Sequence, residues 1–263
     1  MQEAIADFEE RGLTLVGLSY DNEDIIKEFS ERRAISFPLL ADPDSSSLEA
    51  LGLVNPEGNG MTEGVAFPGL IYVDKEGRVV ETFFEESYRT RPAPGSVLAK
   101  LFPEAVSAPT LEKDQDYVLQ QTADGGTLGS QWEVSVVFPL PEGSHLYAPG
   151  SDGYVPLTLE MEPHPSFTFG TPTLPTPESQ HMPALDEELS VYSGLVKITM
   201  PVKIAPHESL KTLEESMETS INGILKYQIC TDTTCLLPVE TEVEWTAVIK
   251  PLDRERASEG VRH

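Results

Sequence analysis

The spacing of apolar residues changes period once along this 263-residue chain, and that change limits the fold more than any single motif. Up to residue 102, helix-like and strand-like stretches alternate. Residues 1–11 read as the end of an amphipathic helix, with Ile5 and Phe8 on one face and Gly12 as its C-cap. Residues 13–20 (LTLVGLSY) are continuously apolar, as a buried parallel strand is. Asp21 or Asn22 caps a second helix that runs to about Arg33, with Ile25, Ile26 and Phe29 turned inward. Residues 37–40 are extended, 42–44 form a turn and 45–51 a short helix. A strand over 64–74, a loop at 75–77 and an antiparallel return over 78–84 follow, and 96–102 is a last helix. The first domain, 1–102, is therefore α/β. A stretch rich in Pro, Ala and charge, 103–116, reads as a linker. From 117 to 251 the pattern is all strand: 132–138, 155–161, 189–192, 195–204, 221–229 and 241–249, separated by Pro, Gly, Ser and His. Many short strands with proline-rich turns predict a β-sandwich. Residues 252–263 form a charged tail.

Forty-four acidic residues against 18 basic ones give a net charge of −26. Such a surface repels phosphate backbones and anionic lipid, so nucleic acid is not an expected partner. No apolar run approaches the roughly 20 residues of a membrane helix, so no membrane insertion is expected. The first residues form an acidic amphipathic pattern and not a signal peptide. Taken literally, that start places the chain in the cytoplasm, where thiols are kept reduced.

The only two cysteines, Cys230 and Cys235, have four residues between them in strand-like sequence. A local pair of this kind serves thiol–disulfide exchange or pins a hairpin, and spacing alone leaves both open. Cys, His and Met could hold copper or zinc. However, no C-x-x-C or H-x-x-x-H spacing occurs, and His145, His164, His181 and His207 are scattered over apparent loops. No metal and no cofactor are expected. Asp232 lies between the cysteines, either as a turn residue or as a carboxylate that raises a thiol pKa or delivers a proton. Tyr227 and Gln228 either flank the site or pack within a strand. Serine, aspartyl and P-loop signatures are absent.

Residues 15–21 (LVGLSYD), 37–44 (FPLLADPD) and 67–74 (FPGLIYVD), with Gly77 after them, resemble the peroxiredoxin/redoxin (AhpC/TSA) branch of the thioredoxin-like fold over about residues 1–102. The resemblance implies a cis proline at Pro68, facing a reactive cysteine. That cysteine, in the family, precedes the helix that residues 1–11 end. Residues 1–102 contain no cysteine. Peroxidase activity is therefore not expected from these residues, because the thiolate nucleophile is missing. The expectation is a domain truncated at its front βα unit, with apolar edges left exposed; a degenerate remnant kept for binding is the alternative.

Residues 225–230 (LKYQIC) with 235–238 (CLLP), together with 143–148 (GSHLYA) and 192–198 (YSGLVKI), resemble the N-terminal domain of the thiol:disulfide interchange protein DsbD. The resemblance covers about 117–251. It implies an immunoglobulin-like sandwich whose pair, Cys230 and Cys235, is catalytic and exchanges electrons with thioredoxin-fold partners. It also implies a location outside the cytoplasm. The alternative is an interaction scaffold with a permanent disulfide and an inert redoxin-like half.

Overall fold

The computed structural model describes residues 1–56, 65–84, 91–102, 111, 115–151, 153–182, 187–231 and 233–254. The chain divides into two compact units, one of Met1–Pro94, to which Asp253 also belongs, and one of Gly95–Leu252. The division falls ahead of the boundary expected at 102.

In the first unit a 3-10 turn, Gln2–Ala4, leads into α1 (Ile5–Glu10), which buries Phe8. Gly12 follows at φ +73°, the left-handed conformation that a C-cap glycine supplies without strain. Strand β1 (Gly17–Ser19), helix α2 (Glu23–Arg32) and strand β2 (Leu39–Ala41) form a βαβ unit, with β1 and β2 parallel in the register Gly17↔Leu39. The Asn22 side chain accepts a hydrogen bond from the Ile25 amide at 3.0 Å and so caps α2. Asn22→Ala is expected to destabilise this unit by about 1 kcal/mol in denaturant unfolding. Asp42 performs the same task for α3 (Ser46–Ala50), its carboxylate accepting from the Ser47 and Leu48 amides at 3.1 and 2.9 Å. Burial pushes the Asp42 pKa up, but these amide bonds and the Ser47 and Ser46 contacts outweigh it and hold it below the usual value.

Strands β3 (Gly69–Val73) and β4 (Val79–Phe84) form an antiparallel hairpin, shorter at its start than the expected 64–74. Asp74 closes the turn by accepting from the Glu76 and Arg78 amides. The expected cis bond before Pro68 is not found: there is no cis peptide among the described residues. Two hydrogen bonds, Asn55 N–H to the Val65 carbonyl and Phe67 N–H to the Leu53 carbonyl, draw residues 65–67 alongside 53–55. The Phe67–Pro68 bond then takes the trans form, which X–Pro bonds favour by default. The unit leaves apolar side chains in solvent, among them Val16, Leu18, Tyr20 and Leu40 on or beside β1 and β2.

Strand β5 (Arg91–Pro92) and helix α4 (Pro94–Leu101) follow. The helix was expected to close the first domain, but from Gly95 on it belongs to the second unit. Ser96 and Thr122 hydroxyls meet at 2.7 Å, and a Cβ on Gly95 would collide with the Thr122 carbonyl oxygen. Of the expected linker, 103–110 and 112–114 lie outside the described residues. Asp116 joins the second unit by accepting the Tyr227 hydroxyl at 2.7 Å.

The second unit is built from strands β6 (Val118–Gln121), β7 (Gly125–Gly126), β8 (Ser130–Pro139), β9 (Ser144–Tyr147), β10 (Thr158–Met161), β11 (Phe167–Phe169), β12 (Glu178–Met182), β13 (Glu187–Ser193) and β14 (Leu195–Ile204). A short helix α5 (Glu208–Lys211) precedes β15 (Met217–Tyr227), β16 (Ile229–Thr231) and β17 (Val239–Ile249). One sheet has the order β10-β15-β17-β7, with β15 and β17 in an antiparallel ladder from Met217↔Ile249 to Tyr227↔Val239. A second places β8 between β14 and β6, with β11 on the far side of β14. A third has the order β12-β13-β9-β16.

Alternation explains these strands. Along β17, Val243, Trp245, Ala247 and Ile249 are buried while Glu240, Glu242 and Glu244 are exposed. Along β8, burial is continuous from Val134 to Phe138, the mark of a strand covered on both faces. The first two sheets meet through rings. Phe138 packs edge-on to Tyr227 at 4.9 Å, and the Trp245 indole N–H donates to the Gln120 carbonyl at 3.1 Å. No helix among the described residues is long and apolar enough to cross a membrane.

Candidate functional site

Residues 221–229 read as one strand in the sequence. They are two, because the chain changes sheets at Gln228. Up to Tyr227 it pairs with β17, and from Ile229 it pairs with β9. Cys230 sits in the middle of β16, opposite His145 of β9. The chain then turns back, so that Cys235 lies opposite Cys230 as an antiparallel bridge. The Thr231 amide donates to the Thr234 carbonyl at 2.8 Å, and the Leu236 amide donates to the Ile229 carbonyl at 2.9 Å. These bonds flank the cysteine pair, which makes it a non-hydrogen-bonded pair, the position where antiparallel strands come closest. The Cα atoms are 4.0 Å apart and the sulfurs are joined as a disulfide. A five-residue separation thus closes a tight hairpin without long-range help.

The two sulfurs stand in different surroundings. Cys230 is 1% exposed and packs with Tyr147 and Val191 in a small apolar cluster, while Cys235 is exposed. The Tyr147 hydroxyl oxygen lies 4.0 Å from the Cys235 sulfur. Burial raises the pKa of Tyr147, and the neighbouring Tyr154 raises it further. The phenol therefore stays protonated at neutral pH and can present its O–H towards sulfur. Tyr154 stacks on Tyr147 at 4.2 Å, and the His145 ring stands edge-on to it at 5.2 Å.

Gln228 lies at the corner beside the pair. Its side-chain amide donates to the Leu236 carbonyl at 2.9 Å and ties the strand after Cys235 to the corner before Cys230. Gln228→Ala is expected to loosen the reduced hairpin more than the oxidised one, which the disulfide still holds. The pair's reduction potential is then expected to become less negative by at most about 20 mV, the equivalent of one hydrogen bond, in a thiol–disulfide equilibrium.

Tyr227 packs elsewhere. Its ring packs against Tyr117 and Phe138 and its hydroxyl donates to Asp116. Burial first, then the Asp116 hydrogen bond, raises its pKa. It is a core residue between sheets. Asp232 lies outside the described residues, and Pro68 stands in the other compact unit.

Sequence reasoning placed His145 on a loop, but it is a buried strand residue. The pattern Ser144-His145-Leu146-Tyr147 held a period-2 signal that puts His145 and Tyr147 on one face, the face of Cys230. His164 also lies within structure, taking the Ser166 amide on Nδ1 and meeting Thr219 through Nε2. Burial lowers its pKa. Among the described residues, no three of His, Cys, Asp or Glu gather as metal ligands do.

Two family profiles match the chain. That of the AhpC/TSA family matches residues 1–82, and that described as "Thiol:disulfide interchange protein DsbD, N-terminal" matches residues 107–247. Two proteins of Mycobacterium tuberculosis, from strains CDC 1551 / Oshkosh and ATCC 25618 / H37Rv, are provisionally named as peroxiredoxins. Each is 34% identical over 80 residues, which cover 29% of this chain and 49% of theirs. The chain thus spans about half the length of the curated relatives it matches. Among solved structures, the Neisseria meningitidis DsbD N-terminal domain in the reduced form aligns at TM-score 0.33 and 20% identity. It covers 54% of this chain and 95% of that one. The N-terminal periplasmic domain of ScsB from Proteus mirabilis aligns at TM-score 0.31 and 15% identity, covering 54% and 51%. With a thioredoxin-like region ahead of a mostly β unit that carries a paired, half-exposed disulfide, the chain belongs to the family of the DsbD N-terminal domain.

Proposed function

We propose that the β-rich unit, an immunoglobulin-like sandwich, is a thiol–disulfide oxidoreductase that exchanges two electrons with thioredoxin-fold partners through Cys230 and Cys235. The observation that carries this reading is the asymmetry of the pair, one cysteine exposed and the other buried, in a chain of this family. A bridge that only braced a hairpin would do its work equally well with both sulfurs covered.

A thiolate of the partner's dithiol attacks the exposed Cys235 sulfur. A partner–Cys235 bond forms, the Cys230–Cys235 bond breaks, and Cys230 leaves as a thiolate. Burial disfavours that anion, so it takes up a proton. The partner's second thiolate then attacks the partner's own sulfur in the mixed disulfide and releases Cys235. The pair has gained two electrons and two protons, and the partner dithiol has become a disulfide. The reverse sequence oxidises the pair. Tyr147, with its hydroxyl near Cys235, is placed to stabilise charge on that sulfur as it is released.

The test is electron counting. The oxidised protein is mixed with one equivalent of a reduced thioredoxin, quenched in acid, alkylated and weighed by mass spectrometry. The expected result is that each chain gaining two alkylated cysteines is matched by one thioredoxin that loses two. A pair that stays bridged against excess reduced thioredoxin contradicts the proposal.

A further inference from the structure

We infer that Leu236 and Leu237 form the docking surface for the partner's thiol-bearing face, the partner being a protein dithiol of the thioredoxin fold. The inference rests on the exchange function proposed above and adds the surface that selects a protein over a small thiol.

Leu236 is 58% exposed and Leu237 86%, the latter the highest exposure of any large apolar side chain among the described residues. Scattered exposed leucines are ordinary on protein surfaces. These two differ in being adjacent, fixed in place and next to the reactive sulfur. The Leu236 amide is held by the Ile229 carbonyl, and its own carbonyl is held by the Gln228 side chain. Pro238 follows, which restricts Leu237 to extended conformations. The pair therefore projects from a backbone that cannot fold back to bury it.

The chemistry of exchange names the occupant. A partner sulfur must come within about 2 Å of the Cys235 sulfur to bond with it. Leu236 and Leu237 lie one and two residues on, within roughly 7 Å along an extended strand. Any protein that reaches Cys235 from solvent must therefore cover them, whereas a small thiol need not. The surrounding charge narrows the choice. Glu240 lies close by in sequence on β17, and the whole chain carries −26. A fitting partner has apolar side chains around its reactive cysteine and a neutral or basic rim.

The test compares two reductants on the full chain. Rates of reduction by reduced thioredoxin and by dithiothreitol are measured for the unsubstituted protein, the Leu236→Ser/Leu237→Ser double variant and Leu237→Glu. The double variant is expected to react with thioredoxin about tenfold more slowly and Leu237→Glu more slowly still, as apolar contact is lost at the centre of the interface. The dithiothreitol rate is expected to stay within about twofold, as no group at the sulfurs has changed. Equal thioredoxin rates in all three proteins would overturn the docking surface and leave the exchange function standing. Failure of the unsubstituted protein to react with thioredoxin would overturn both. A parallel fall in both rates would assign the leucines to the shape of the disulfide and not to docking. Sedimentation adds a further arm: a dimer lost in the variants, with the thioredoxin rate unchanged, would identify the occupant as a second copy and contradict the inference.

Discussion

Cys235→Ser is expected to abolish mixed-disulfide formation with a protein thiol, whereas Cys230→Ser is expected to preserve it and to stop there. The reason is burial. In Cys230→Ser the remaining thiol is the exposed one and can be reached by an oxidised partner. The adduct then persists with a partner whose own second cysteine is replaced by serine, because neither chain keeps a thiol that could release it. In Cys235→Ser the remaining thiol sits among Tyr147, Val191 and the β9 backbone at 1% exposure. A buried thiol is both hard to reach and poorly ionised. Iodoacetamide should therefore label Cys230→Ser at least about tenfold faster than Cys235→Ser, and only the former should give a stable adduct, on a non-reducing gel, with a thioredoxin whose second cysteine is replaced by serine and whose first is activated as a mixed disulfide with a small aromatic thiol, which is the group that leaves. Adducts through Cys230, or equal labelling of the two, would reverse the assigned order of attack.

The second large effect is on stability. Phe138 is fully buried and meets Tyr117 at 5.6 Å and Tyr227 at 4.9 Å, so one ring joins the β8 sheet to the β15–β17 sheet. Phe138→Ala is expected to cost about 3–5 kcal/mol, the transfer free energy of the ring together with the cavity left behind. Equilibrium denaturation followed by tryptophan fluorescence reads it, since Trp132 and Trp245 both lie in this unit. Tyr227→Phe keeps the ring contact and removes only the bond to Asp116, and should cost about 1 kcal/mol. A Phe138→Ala cost under about 1 kcal/mol would mean that the two sheets are not held together through these rings.

Much of this was legible before the fold was seen, for reasons that differ by element. Helix α2 was readable because Asn22 is a strong cap ahead of an apolar stripe at helical spacing. Strands β8, β14 and β17 were readable because they are long and their side chains alternate or are continuously apolar. Other, shorter strands were not. In β7, β11 and β12 two to five residues are held by neighbours, as Gly125 and Gly126 are by Val248 and Ile249. Local pattern carries no record of such pairing.

The site shows the same division. The cysteines and their neighbour Gln228 stand out in the sequence, since the chain has no other cysteines and the corner lies beside them. Tyr227 packs between sheets, because a residue next to a corner faces whichever sheet it has just left. His145 and Tyr147 could not be placed beside the pair, because their neighbourhood depends on β16 pairing with β9 across some 85 residues of chain. The burial difference between the two cysteines, on which the order of attack depends, belongs to packing alone.

An exchanged disulfide is separated from a permanent one by its reduction potential. The protein is equilibrated across a glutathione or dithiothreitol series, trapped with an alkylating agent and read by mass spectrometry. A potential between about −120 and −270 mV is expected, within reach of thioredoxin-fold partners. A value below about −300 mV would mark the Cys230–Cys235 bond as a structural brace and contradict the proposed function.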